Sequence, residues 1–130
     1  MTKKTKMQIT KNFNLSEFQC KCGCKMPAKV LGNVLILAEQ LQVLRDALNT
    51  PIHLTNAYRC KAHNDSITGS SKKSQHILGK AADIQIEHLT SREISTTIEI
   101  FIDEGIMKQG GLATYPTFVH YDIRKKRARW

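Results

Sequence analysis

The chain has 130 residues, with 20 Lys and Arg against 11 Asp and Glu, a formal net charge of +9 and four cysteines. That length gives one domain with a real core and excludes two ordinary domains. The charge favours an anionic partner such as nucleic acid, a membrane face or a cell-wall polymer, while no apolar run approaches the roughly 18 residues of a membrane span.

The positive residues gather at the two ends, in "MTKKTKMQITK" and "RKKRARW". A nucleic-acid reader more often interleaves its cations with aromatics. The ends are therefore read as solvated basic tails, residues 1–12 and 125–130, around one domain over 13–124, and no specific nucleic-acid surface is expected. "MQITKNFNLSEF" is broken by polar residues every few positions, so no signal peptide is visible. A product made in the cytoplasm is expected, one that reaches any extracellular target by another route.

Three cysteines fall in "CKCGC" (Cys20, Cys22, Cys24) and the fourth is Cys60 in "YRCKAHN". A single intervening residue places neighbouring thiols poorly for a mutual bridge. Three readings stay open: reduced, partly buried thiols, which the spacing favours; one disulfide involving Cys60; and a thiolate-bound ion at Cys20, Cys22, Cys24 and Cys60, against which the departure from the C-x-x-C ribbon counts.

From Pro27 to Leu48, Val30, Leu31, Val34, Leu37, Ala38, Leu41 and Leu44 recur at three- and four-residue steps, which predicts a helix with one apolar face, and Pro27 suits its first turn. "PIHLTNAYR" (51–59) alternates as a strand does. "CKAHNDSITGSSKKS" (60–74) lacks periodicity and is predicted to be a long functional loop. "KAADIQIEH" (80–88) reads as a strand. "LTSREISTTIEIFIDEG" opens on a capping box, Thr90 to Glu93, and predicts an amphipathic helix ending at Gly105. A glycine turn and a last strand from about Thr117 to Arg124 close an α+β fold with a small antiparallel sheet flanked by helices.

Residues two apart on a strand share a face, so Phe118, His120, Asp122 and Arg124 should project one way and Val119, Tyr121 and Ile123 the other. In "SQHILGKAADIQI", His76 and Asp83 lie on either side of a small-residue turn. If Asp83 lies on a strand beside the last one, His76, Asp83 and His120 can meet as three N and O ligands. Two histidines and a carboxylate with water in the fourth position is a catalytic zinc arrangement.

"A-Y-R-C-x-x-H-N" (Ala57 to Asn64), "S-x-H-x-x-G-x-A-x-D" (Ser74 to Asp83) and "F-V-H-Y-D-I-R" (Phe118 to Arg124) resemble, in this order, the zinc D-Ala-D-Ala carboxypeptidase family, which includes many phage endolysins. The cysteine-rich opening "N-F-N-L-S-E-F-Q-C-K-C-G-C" is similar to its phage and prophage branch. The resemblance implies a hedgehog/D-Ala-D-Ala peptidase-like fold and one catalytic zinc on His76, Asp83 and His120. It implies Arg59 as the arginine that holds substrate or stabilises developing negative charge, and Ser74 as a position near the substrate. The substrate class it implies is bacterial peptidoglycan, met after holin-type release or lysis, and a monomer is expected.

One departure stands out. Many family members carry an acidic residue three before the final histidine ligand, or a histidine two before it, as general base, and here those positions are Thr117 and Phe118. Asp122 is the preferred replacement, with a role in orienting an imidazole as its alternative. His63 and Glu104 are lesser candidates, and His53 and His88 carry no functional expectation. The missing acid also leaves open a non-catalytic, metal-stabilised wall-binding or virion protein.

Overall fold

The computed structural model describes residues 7–67 and 74–130. Residues 1–6 of the expected N-terminal tail and 68–73 of the expected long loop lie outside the described residues. The chain is α+β, with a two-stranded and a five-stranded sheet.

A hairpin of β1 (Gln8–Thr10) and β2 (Phe13–Asn14) leads through a 3-10 turn, Leu15–Phe18, to α1 (Ala28–Leu48). Residues 8–10 are thus a paired strand rather than tail. Thr10 Oγ1 donates to Gln42 Oε1 at 2.7 Å, which anchors the hairpin to α1. The predicted stripe of α1 is buried at Val30, Val34, Leu37, Ala38, Leu41 and Leu44, and the helix stops where Asn49 turns left-handed, at φ 49°. Then come β3 (Ile52–Asn56), α2 (Lys61–Asp65), β4 (Ala81–Ile86), α3 (Ser91–Asp103), β5 (Gly111–Thr114), β6 (Val119–Asp122) and β7 (Ala128–Arg129). The capping box of α3 forms in full. Glu93 N donates to Thr90 Oγ1 at 3.1 Å and Thr90 N to Glu93 Oε1 at 2.8 Å.

The five-stranded sheet runs β3-β4-β6-β5-β7. All its pairings are antiparallel except β5 with β7. Strand parity divides it into two faces. Ala82, Ile84, Ile86, Leu112, Val119 and Tyr121 join the stripes of α1 and α3 in one core, and Asp83, His120 and Asp122 occupy the opposite parity. Between His76 and β4, Gly79 has φ +73° and sits against α1, where a Cβ would lie 2.6 Å from Val30 Cγ1 and 2.9 Å from Val30 O. Only glycine meets both demands, so the small-residue turn docks the site's first histidine onto the core helix.

Four expectations change. The strand expected over 51–59 ends at Asn56, after a register shift between Leu54 and Asn56. Tyr58 N and Arg59 N then donate elsewhere, to Phe18 O and His76 O at 3.1 Å each. Within the expected loop, residues 61–65 form α2, and the residues read as a glycine turn include β5. Ala128 and Arg129, expected in a solvated tail, form β7 beside Gly111 and Leu112. Arg129 donates to Gly110 O at 2.7 Å, to Gln109 Oε1 at 2.8 Å and to Glu99 Oε1 at 2.9 Å, so its charge is met by the protein. No helix among the described residues is long and apolar enough to cross a membrane.

Candidate metal centre

The antiparallel register of β4 and β6 makes Asp83 and His120 direct partners. His76 comes from the turn ahead of β4. Its Nε2 lies 3.3 Å from Asp83 Oδ1, and His120 Nδ1 lies 3.2 Å from the same oxygen. The two imidazoles meet edge to face with centroids 5.2 Å apart, and all three residues are buried.

The outer ring nitrogens are already committed. His76 Nδ1 is 2.7 Å from the Ala57 carbonyl oxygen, which only accepts, so Nδ1 carries the proton and Nε2 turns a lone pair inward. His120 Nε2 is 2.7 Å from Asp122 Oδ2, and the same reasoning leaves its Nδ1 lone pair facing Asp83. Two lone pairs and a carboxylate oxygen repel unless a proton or a cation stands among them. Tetrahedral coordination at about 2.0–2.1 Å gives ligand–ligand edges of about 3.3 Å, which the 3.3 and 3.2 Å separations match. The residues fit a divalent cation held by two nitrogens and one carboxylate.

Beyond geometry, the model of the peptidase M15 family matches residues 11–122, most of the chain. The chain belongs to the peptidase M15 family. The match bears out the resemblance to the zinc D-Ala-D-Ala carboxypeptidases carried by the three motifs. None of the curated proteins compared with the chain matches it.

The convergent group of His76, Asp83 and His120 is strongly polarised. Burial would raise the Asp83 pKa, but the His120 and His76 imidazoles hold its carboxyl well below the usual carboxylate range. Burial would lower the His120 pKa, yet Asp122 and Asp83 together raise it. In the metal-free protein a proton therefore competes with the cation for His120 Nδ1. Because the ligating form is the deprotonated one, zinc affinity should climb with pH through and beyond about 6.5, by about tenfold per unit, levelling only above the raised His120 value. Competition against a chromophoric chelator across that range checks this, and a flat profile would contradict it.

Arg59 is 8% exposed, and its backbone N–H to His76 O ties it to the ligand turn. Burial lowers its pKa and the Asp83 charge opposes that shift, so the guanidinium lies within the field of the centre. Its Nε is buried and has no partner among the described residues. Ser74 is half-buried, and its Oγ accepts from His76 N at 3.1 Å, shaping the ligand turn.

Asp122 is completely buried. Besides His120, its carboxylate accepts from Gly111 N at 2.8 Å and from Arg124 N, Nε and Nη2 at 3.1, 2.9 and 2.7 Å. Burial would raise its pKa, but His120 and Arg124 keep it ionised well below the ordinary range. Gly111, its partner across β5 and β6, makes the space for this carboxylate. A Cβ there would come within 2.7 Å of Asp122 Cγ and 2.8 Å of Oδ1. Gly111→Ala should therefore destabilise the fold by about 1–3 kcal/mol through overpacking, read as a lowered denaturation midpoint, and should weaken zinc binding along with it.

Thr117 is exposed with its carbonyl accepting from Gln85 Nε2 at 2.8 Å, and Phe118 stacks on Tyr115 at 4.5 Å. Neither position brings an acid or an imidazole. His53, His88 and Glu104 are exposed and His63 sits on α2, and none of the four joins the convergent group. The residue that sequence reasoning missed is Trp130. Its ring lies 5.0 Å from that of His120, Arg124 packs over it at 5.1 Å, and its Nε1 donates to Tyr115 Oη at 2.8 Å. The sole tryptophan at the end of "RKKRARW" was the available signal.

Proposed function

We propose that this chain is a zinc-dependent peptidase that hydrolyses a peptide bond of the peptidoglycan stem peptide, as a phage or prophage lysis or wall-remodelling enzyme. The observation that carries the reading is the convergence of His76 Nε2, Asp83 Oδ1 and His120 Nδ1, with outer hydrogen bonds that turn both imidazole lone pairs inward. Bound there, zinc supplies Lewis-acid polarisation of the scissile carbonyl and lowers the pKa of a bound water.

Arg59 is the catalytic side chain in this reading. Its positive charge, within the field of Asp83, suits a substrate carboxylate or the oxyanion that develops during hydrolysis, and fixed positive charge in a water-poor site stabilises such charge strongly. Ser74 holds the ligand turn beside the substrate. Asp122 is a positioning residue, since protein donors already engage both of its oxygens. The net charge of +9 supports attraction to anionic wall polymers.

One observation favours a non-catalytic, metal-stabilised wall-binding or virion protein instead. Thr117 and Phe118 provide no general base, and Asp122 is occupied. Mass spectrometry of purified peptidoglycan after incubation with the zinc-loaded protein separates the two readings. Released D-alanine or cleaved stem peptides are expected, whereas a fully metallated protein that binds walls and liberates nothing would replace the enzyme reading with the binding one.

A further inference from the structure

We propose that Cys20, Cys22, Cys24 and Cys60 bind a second zinc, a structural ion held by four thiolates and independent of the His76–Asp83–His120 centre. The sequence alone favours reduced thiols here, and the close spacing of "CKCGC" argues against a ribbon. The fold overrides that reading, because Cys60 arrives from a segment forty residues away. One ligand atom from each of the four lies within 4.8 Å of every other. The Sγ atoms of Cys20 and Cys22 are 3.2 Å apart, those of Cys22 and Cys60 3.4 Å, and those of Cys20 and Cys60 3.8 Å. A tetrahedral zinc with Zn–S bonds of about 2.3 Å has S···S edges of about 3.8 Å, so these sulfurs need only a small expansion to enclose the ion.

The backbone is arranged for thiolates as well. Cys60 N donates to Cys20 Sγ at 3.4 Å and His63 N to Cys60 Sγ at 3.5 Å, bonds that favour the charged sulfur. Gly23 N to Cys20 O at 3.0 Å closes the turn that brings three thiols together. Lys21 and Lys25 directly adjoin the ligands in sequence, while Lys61 pairs with Asp65 at 3.1 Å. On loading, each thiol gives its proton to the buffer and no oxidation state changes. Four sulfurs leave no open position, so the ion is structural rather than catalytic. It would staple the segment before α1 to the residue that follows Arg59 and caps α2, fixing the arginine against the other centre.

The test is the zinc content of full-length protein purified under reducing conditions without chelator. Two ions per chain are expected in the wild type, one in His120→Ala and one in the double variant Cys22→Ser, Cys60→Ser, with circular dichroism confirming that each is folded. Cobalt substitution should give intense thiolate-to-metal charge-transfer bands in the wild type and in His120→Ala, and none in the double variant. A His120→Ala protein that holds no zinc while its four thiols react freely would overturn the proposal. Because His120→Ala empties only the peptidase centre, failure of the catalytic reading would leave this second count unchanged.

Discussion

Asp83→Ala is expected to lose the peptidase metal and at least about a thousandfold in kcat/KM on peptidoglycan. The reason is the position of this carboxylate: Oδ1 is the one atom that both imidazole nitrogens approach, at 3.3 and 3.2 Å. Without it two neutral nitrogens remain, and they lack the negative charge that offsets a dication in a buried site. A catalytic metal contributes several kcal/mol to the transition state, and about 4 kcal/mol corresponds to about a thousandfold in rate. Metal content and peptide release should be measured on the same sample. The zinc-dependent rise in melting temperature should shrink in parallel, because a ligand stabilises only the state that binds it. Full turnover by an Asp83→Ala protein would remove the metal mechanism altogether.

Asp122→Asn should reduce zinc affinity by about 10–100-fold and lower turnover as a consequence. Every partner of Asp122 is a donor: Gly111 N, Arg124 N, Nε and Nη2, and the His120 Nε2–H. An asparagine offers one oxygen and one NH2, so the amide has to place a donor against a donor. If the NH2 faces His120, the imidazole shifts its proton to Nδ1 and the lone pair that faces Asp83 is lost. A general base would behave differently, since its removal stops chemistry and leaves zinc bound with wild-type affinity. A zinc titration of this variant beside its kcat therefore decides between orienting and base roles, and wild-type affinity with no turnover would restore Asp122 as the base.

The two predictions draw on information of different origin. His76, Asp83 and His120 are legible in the sequence because their motifs have fixed spacing and because a period of two assigns His120 and Asp122 to one strand face. The buried stripe of α1 and the capping box of α3 are legible for the same kind of reason, since both depend on residues within a few positions of each other. The engagement of Asp122 is not legible, because Gly111 belongs to another strand and only the β5–β6 register brings its N–H under the carboxylate. A charge run hides β7 and Trp130 in the same way. Its pairing is parallel and only two residues long, with no alternation to betray it, and Arg129 is neutralised by Glu99 from α3.

By itself the sequence determined the two long helices, the parity of the last strand, the family and the three ligand candidates, all of which follow from local periodicity or from motif order. Tertiary structure alone decided which strands are neighbours and in what register, and so which nitrogen of each imidazole faces the centre, what occupies Asp122, and that Cys60 joins Cys20, Cys22 and Cys24 from forty residues away. Short-range patterns fix the direction in which a side chain points. The group it meets there depends on how distant segments pack, and that is a property of the whole core.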